Sequence, residues 1–259
     1  MARSTAIVLC VAALLAAAAC SSGDDDDGKS AGGAASTTTS TTSEVGPTST
    51  GSSTTTEGCT GTPPTPTQPA STGNIVDVDG DGKPDRAWLS SPGNGIREMG
   101  VLTAAGGGAE VRVDSASPIA LQLLVADADD TPPVEMFVSD GRTVQLWAFS
   151  DCKLQQVKDG KGQPYLFDLG FRGNGTGVGC IDANGDGQRD LVGLNTLDRT
   201  DTVVKWKRTI IERVGLRAAN GASDEGTYKL PQDQAKADLL YTVTCGNLDI
   251  RRDAIRQPE

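Results

Sequence analysis

The chain has 259 residues, 34 acidic against 23 basic, a net charge of −11 and no histidine. That balance disfavours nucleic acid and anionic lipid surfaces as partners. The lack of histidine removes Ser-His-Asp and Cys-His catalysis and the usual zinc sites.

In chain order, Arg3 and the apolar run from Ala6 to Ala19 have the layout of a secretory signal peptide over residues 1–19. Its apolar stretch is too short to span a bilayer stably. Leu14-Leu15-Ala16-Ala17-Ala18-Ala19-Cys20 resembles a bacterial lipobox, although Ala17 stands where such motifs usually have Leu. The resemblance implies lipidation at Cys20 and a membrane-anchored extracytoplasmic protein at the bacterial cell surface; cleavage within the Ala run, releasing a secreted protein, is the alternative. Residues 20–72 are rich in Ser, Thr, Gly and Pro. They have little apolar surface to offset the entropy of ordering, so they read as a disordered tether. The acidic run Asp24 to Asp27 within them reads as a self-repelling spacer. One folded domain is expected over 73–259.

That domain opens on a repeat. Asp77-Val78-Asp79-Gly80-Asp81-Gly82-Lys83-Pro84-Asp85 recurs as Asp182-Ala183-Asn184-Gly185-Asp186-Gly187-Gln188-Arg189-Asp190, each between short apolar segments that read as strands. Midway lies a degenerate copy with Asp127, Asp129, Thr131 and Glu135, in which Pro132 replaces the turn glycine. The copies begin 50 and then 55 residues apart. Calcium takes six to eight oxygen ligands at about 2.3–2.6 Å from a tightly curled loop. Positions 1, 3, 5 and 9 supply side-chain oxygens and position 7 a carbonyl. The expected ligands are therefore Asp77, Asp79, Asp81, the Lys83 carbonyl and Asp85, with Asp182, Asn184, Asp186, the Gln188 carbonyl and Asp190 in the last copy. The middle copy is expected to have kept the turn and lost the metal. The loops are not EF-hands, since position 12 is Trp88 or Gly193 rather than Glu.

The pattern Asp-x-Asp/Asn-x-Asp-Gly-x-x-Asp before an apolar strand resembles the FG-GAP or VCBS repeat of integrin-type propellers and bacterial surface proteins. The resemblance runs from Gly73 to about Leu194. It implies an all-β, small or partial β-propeller-like domain with calcium-binding loops; at about 50 residues per blade, the chain holds three to four blades. Strands are further expected at Thr143–Phe149 and Val203–Ile211. Turns are expected at Asp140-Gly141, Asp159-Gly160 and Asn220-Gly221, and a short helix at Gln232–Leu240 after Pro231. Residues from Asp198 onward are expected to form a divergent fourth blade or a closing cap.

Of six cysteines, Cys59, Cys152, Cys180 and Cys245 remain for two disulfides in an exported chain. Three pairings are open; Cys152–Cys180 with Cys59–Cys245 is the expectation. The functional expectation is a non-enzymatic binding or adhesion module stabilised by Ca2+, with an envelope protein or cell-wall polysaccharide as ligand. Trp88, Trp147 and Trp206 are expected in the core rather than at a sugar site. The alternative is an extracellular glycan or phosphoester hydrolase working through Asp127, Glu135 and Asp140.

Overall fold

Short apolar runs broken by Gly, Asp and Pro give strands and tight turns rather than helices, and the computed structural model is accordingly mostly antiparallel β-sheet. It describes residues 57–173 and 175–259; the expected signal peptide, Cys20 and residues 20–56 of the expected tether lie outside them. Strands β1 (Ala70–Ile75), β2 (Asp85–Gly93), β3 (Ile96–Leu102) and β4 (Gly108–Arg112) form one sheet in chain order. β5 (Gln122–Ala126), β6 (Glu135–Ser139), β7 (Thr143–Ser150) and β8 (Lys153–Gln156) form a second, with β9 (Leu166–Asp168) also pairing β7. β10 (Gly177–Ile181), β11 (Asp190–Arg199), β12 (Val203–Val214) and β13 (Arg217–Lys229) form the third. Every acidic loop joins the first strand of a sheet to its second.

The sheets pack face to face through apolar residues on alternate positions. Leu89, Met99 and Val101 of the first sheet meet Leu123, Met136 and Val138 of the second. Leu124, Phe137 and Leu146 of the second meet Val178, Leu191 and Ile211 of the third. Trp88 is fully buried against Gly100, its cross-strand partner, whose missing side chain makes room for the indole. Trp206 lies over Gly226 in the same way, half-buried beside Tyr228. Trp147 is buried, its indole N–H donating to Gln145 Oε1 at 3.0 Å. The tryptophans thus fill the sheets.

Several expectations need correcting. The folded part begins before Gly73: Ala70, Ser71 and Thr72 pair with Ser90, Leu89 and Trp88 in β1, a polar edge strand that composition disguised. Asn220-Gly221 is not a turn. It lies inside β13, where the register against β12 shifts, and the hairpin turns at Gly215-Leu216. The residues after Asp198 build no fourth four-stranded sheet among those described. They complete β11 to β13, then form α1 (Gln234–Leu239), the hairpin β14 (Thr244–Cys245) and β15 (Leu248–Asp249), and α2 (Ile250–Asp253). The last strand, β16 (Ile255–Arg256), adds antiparallel to β5, and Gln257 follows it back. The Gln257 side chain accepts from Leu121 N at 2.9 Å and donates to the Ser90 carbonyl at 3.3 Å, stitching the chain's end to two sheets.

The disulfides are Cys59–Cys152 and Cys180–Cys245, not the expected pairing. Cys59 is docked on the first sheet, its carbonyl accepting from Thr103 Oγ1 at 2.6 Å and Gly107 N at 2.9 Å. There it meets Cys152 in the β7–β8 turn, with 5.5 Å between Cα atoms. Val178 of β10 bridges Val243 in parallel, so two residues on in each strand Cys180 and Cys245 face each other at 4.5 Å. Spacing in sequence carried none of this register. Peptide mapping of the unreduced protein is expected to recover the Cys59–Cys152 and Cys180–Cys245 linkages; a Cys152–Cys180 peptide would refute the packing of β10 against β14.

Candidate functional site

The three acidic loops share one hydrogen bond. The carboxylate at position 9 accepts from the backbone amide at position 2: Asp85 from Val78 at 2.8 Å, Glu135 from Ala128 at 2.8 Å, and Asp190 from Ala183 at 2.9 Å. In the first and last loops the position 1 carboxylate accepts from the glycines at positions 4 and 6. Asp77 bonds Gly80 and Gly82, each at 2.7 Å, and Asp182 bonds Gly185 at 2.6 Å and Gly187 at 3.1 Å. All four glycines have φ between 78° and 89°, a left-handed backbone that side chains resist. Position 3 then accepts from position 5, and position 5 from position 7. A chain curled this way points its side-chain oxygens inward.

How far the oxygens converge differs between loops. In the first, one oxygen each from Asp77, Asp79 and Asp85 lie within 4.8 Å of one another, with Asp81 next to them in the curl. Burial pushes the Asp85 carboxyl above its ordinary range; the Val78 and Ala104 amides oppose that, and Asp79 and Asp77 add to it. Asp79 Oδ2 also accepts from Cys59 N at 2.7 Å, which ties the chain entering the domain to this loop. The last loop repeats these bonds except that from the position 3 amide to the position 1 carboxylate, which only the first loop has, at 3.2 Å; among the described residues Asp182, Asp186 and Asp190 form no such group, and Asn184 Nδ2 donates to Asp186 at 3.1 Å. Among the described residues no hydrogen bond engages the Lys83 or Gln188 carbonyl, which leaves both available as ligands.

The middle loop brings Asp127, Asp129 and Glu135 together as closely as the first, but a guanidinium stands among them. Arg213, from β12 of the third sheet, has a fully buried side chain. It donates to Asp129 Oδ1 at 2.8 Å and Oδ2 at 2.9 Å, and to the Thr131 carbonyl at 2.6 Å. Its Nε lies 2.6 Å from Glu135 Oε1, an ionic contact outside hydrogen-bond geometry. Arg189, in the last loop, binds Asp130 through its backbone and side chain and stands 3.8 Å from Asp127. Burial is the largest influence on Glu135 and pushes its carboxyl up to about 8, against the pull of Arg213 and the Ala128 amide. Neither arginine belongs to the repeat motif as a ligand. The sequence clues were Pro132 in place of glycine and an extra carboxylate, Asp130, at position 4.

The carboxylates proposed for acid–base work fall in two places. Asp127 and Glu135 sit in the arginine-filled loop. Asp140 accepts from Ser115 Oγ at 2.5 Å and from the Arg142 and Thr143 amides at 3.0 and 2.8 Å. Burial alone would raise its carboxyl, but those hydrogen bonds outweigh it and hold the group below its ordinary range.

Between the second and third sheets runs a cleft of about 530 Å³, bordered by β7 and β9 on one side and β10 to β13 on the other. Comparison with protein-family models, curated proteins and solved structures returns no match.

Removing one partner of a buried ion pair leaves the others uncompensated, at a cost of about 3–5 kcal/mol. Arg213→Ala is expected to lose that much in urea denaturation, whereas Arg208→Ala, which breaks the more exposed pair with Asp224, loses about 0–1 kcal/mol. The raised Glu135 carboxyl also sets a pH dependence. The fold holds its proton more tightly than the unfolded chain, so this contribution is full below about 4.5 and fades as pH rises towards about 8. In Glu135→Gln, the fall of Tm across that window is expected to be shallower; an unchanged slope would place the titration elsewhere.

Proposed function

We propose that the protein is an exported, lipid-anchored surface protein whose repeat modules form a calcium-stabilised, propeller-like binding unit. What supports this reading above all is the recurrence of one curled acidic loop, with the same closing hydrogen bond, at the first strand junction of all three sheets. That is the arrangement an FG-GAP or VCBS-type repeat would give. Two disulfides joining distant parts of the chain suit an oxidising, extracytoplasmic compartment. An N-terminal lipid at Cys20 would supply the anchor, and the Ser/Thr-rich segment the reach.

In this reading calcium is structural. Asp77, Asp79, Asp81, Asp85 and the Lys83 carbonyl hold one ion, and Asp182, Asn184, Asp186, Asp190 and the Gln188 carbonyl another. The first loop is better prepared, because its carboxylates already converge, while those of the last must be drawn in. The middle loop uses the Arg213 guanidinium as its cation. Binding is favoured over hydrolysis because Asp127, Glu135 and Asp140 are all engaged in holding the fold. The ligand is an envelope protein or cell-wall polysaccharide.

A ligand that binds only the native state adds about 2.7 kcal/mol at 100 times its Kd. For a domain of this size that is roughly 5–10 °C in Tm. Thermal melts in EGTA and in millimolar calcium are expected to differ by several degrees, with magnesium giving much less. Asp77→Ala should lose more of that gain than Asp182→Ala. Identical melts with and without calcium would remove the metal from this account.

A further inference from the structure

The cleft between the second and third sheets has an unusual lining for so acidic a chain. Alternate residues of neighbouring strands point into it, Asn195 from β11 and Lys207 from β12, directly opposite each other in register. Arg172 enters from the loop after β9. Among the described residues neither Lys207 nor Arg172 forms an ion pair, and the Asn195 amide makes no side-chain hydrogen bond; Glu225, opposite Lys207 in register, is not in ion-pair contact with it. The one carboxylate of the lining, Asp168, accepts from the Arg172 backbone amide at 3.0 and 2.9 Å. On the far wall, Tyr165 packs edge-on against Phe167 at 5.3 Å. Its hydroxyl donates to Asn220 Oδ1 at 2.5 Å, which turns the Asn220 amide group into a further donor. A net positive, donor-rich cleft with an aromatic wall therefore lies in a protein of net charge −11. Its volume falls within the range of small-molecule sites.

Donors without acceptors select an acceptor-rich ligand, and unpaired cations select an anion. The aromatic wall suits the apolar face of a sugar ring. We infer that this cleft binds a short acidic glycan, with Lys207 and Arg172 on its carboxylate or phosphate groups, Asn195 and Asn220 on its hydroxyls, and Tyr165 against a ring. This rests on the binding-module reading and names its site and ligand class. The calcium loops take no part in the contact, so the two ideas fail separately.

Calorimetric titration of the protein with an oligogalacturonate, its fully methyl-esterified form and a glycerol-phosphate oligomer tests the inference. The uronate is expected to bind at least about tenfold tighter than the neutral ester, the size of one charge-assisted hydrogen bond. Affinity should weaken as salt is raised. Binding of the glycerol-phosphate oligomer, which has no sugar ring, without binding of the uronate would overturn the glycan class. Lys207→Ala and, at a more exposed position, Arg172→Ala should each weaken binding about tenfold with Tm unchanged. Equal affinity for the neutral ester, with the same variants weakening it, would overturn the acidic class while leaving a binding module. Binding indifferent to both substitutions, or no binding of any of the three while the calcium-dependent Tm gain persists, would overturn the assignment of the cleft.

Discussion

A carboxylate seven residues downstream accepting a backbone hydrogen bond is the constraint on which each sheet depends. It closes the crossing from first to second strand, so that the strand after the loop leaves in register with the one before it. Asp85 and Glu135 are buried, where an unmet acceptor is costly, and both find the amide that the curl presents. The same bond then fixes where the other oxygens go. In the first and middle loops, where the chain turns inward, carboxylate oxygens of positions 1, 3 and 9 converge and negative charge is concentrated.

Concentrated charge has to be compensated, and the chain does so in different ways. In the middle loop compensation is covalent to the fold: Arg213 and Arg189 reach across from the third sheet. They therefore also act as ties between sheets, alongside the Cys59–Cys152 bridge from the entering chain to the β7–β8 turn and the return of β16 to β5. The first loop takes a different tie, the amide of Cys59 on Asp79. The first and middle loops are thus each joined to a neighbouring part of the chain by their own carboxylates.

What could be read in the sequence was what is local. The loop motif, its glycines and its closing carboxylate set the curl by short-range hydrogen bonds, and their even spacing implied repeated hairpins; the strands at Thr143 and Val203 followed from β-branched and aromatic content. What could not be read depends on residues far apart in the chain. Arg213 contacts Asp129 from 84 positions away, and no local signal marks it as that loop's cation. The disulfide partners depend on which strand edges meet, as Val178 and Val243 show. Asn220-Gly221 has turn chemistry, yet long pairing on both sides absorbs it as an irregularity within β13. Ala70 to Thr72 look like tether because an edge strand with one open face needs little apolar content.

The placing of the permanent cation matters for the cleft. Arg213 lies two residues beyond Ile211, which lines that cleft, and it binds the second sheet from the third, the two sheets that form its walls. A divalent ion in that position would make the separation of the walls depend on external calcium. A guanidinium makes it independent of calcium, because it cannot be deprotonated or chelated away. Among the described residues the first loop makes no hydrogen bond or ion pair to this joint, whereas the last is tied to it through Arg189 on Asp130. The loop that departs most from the repeat is therefore the one whose departure keeps the walls of the cleft in place.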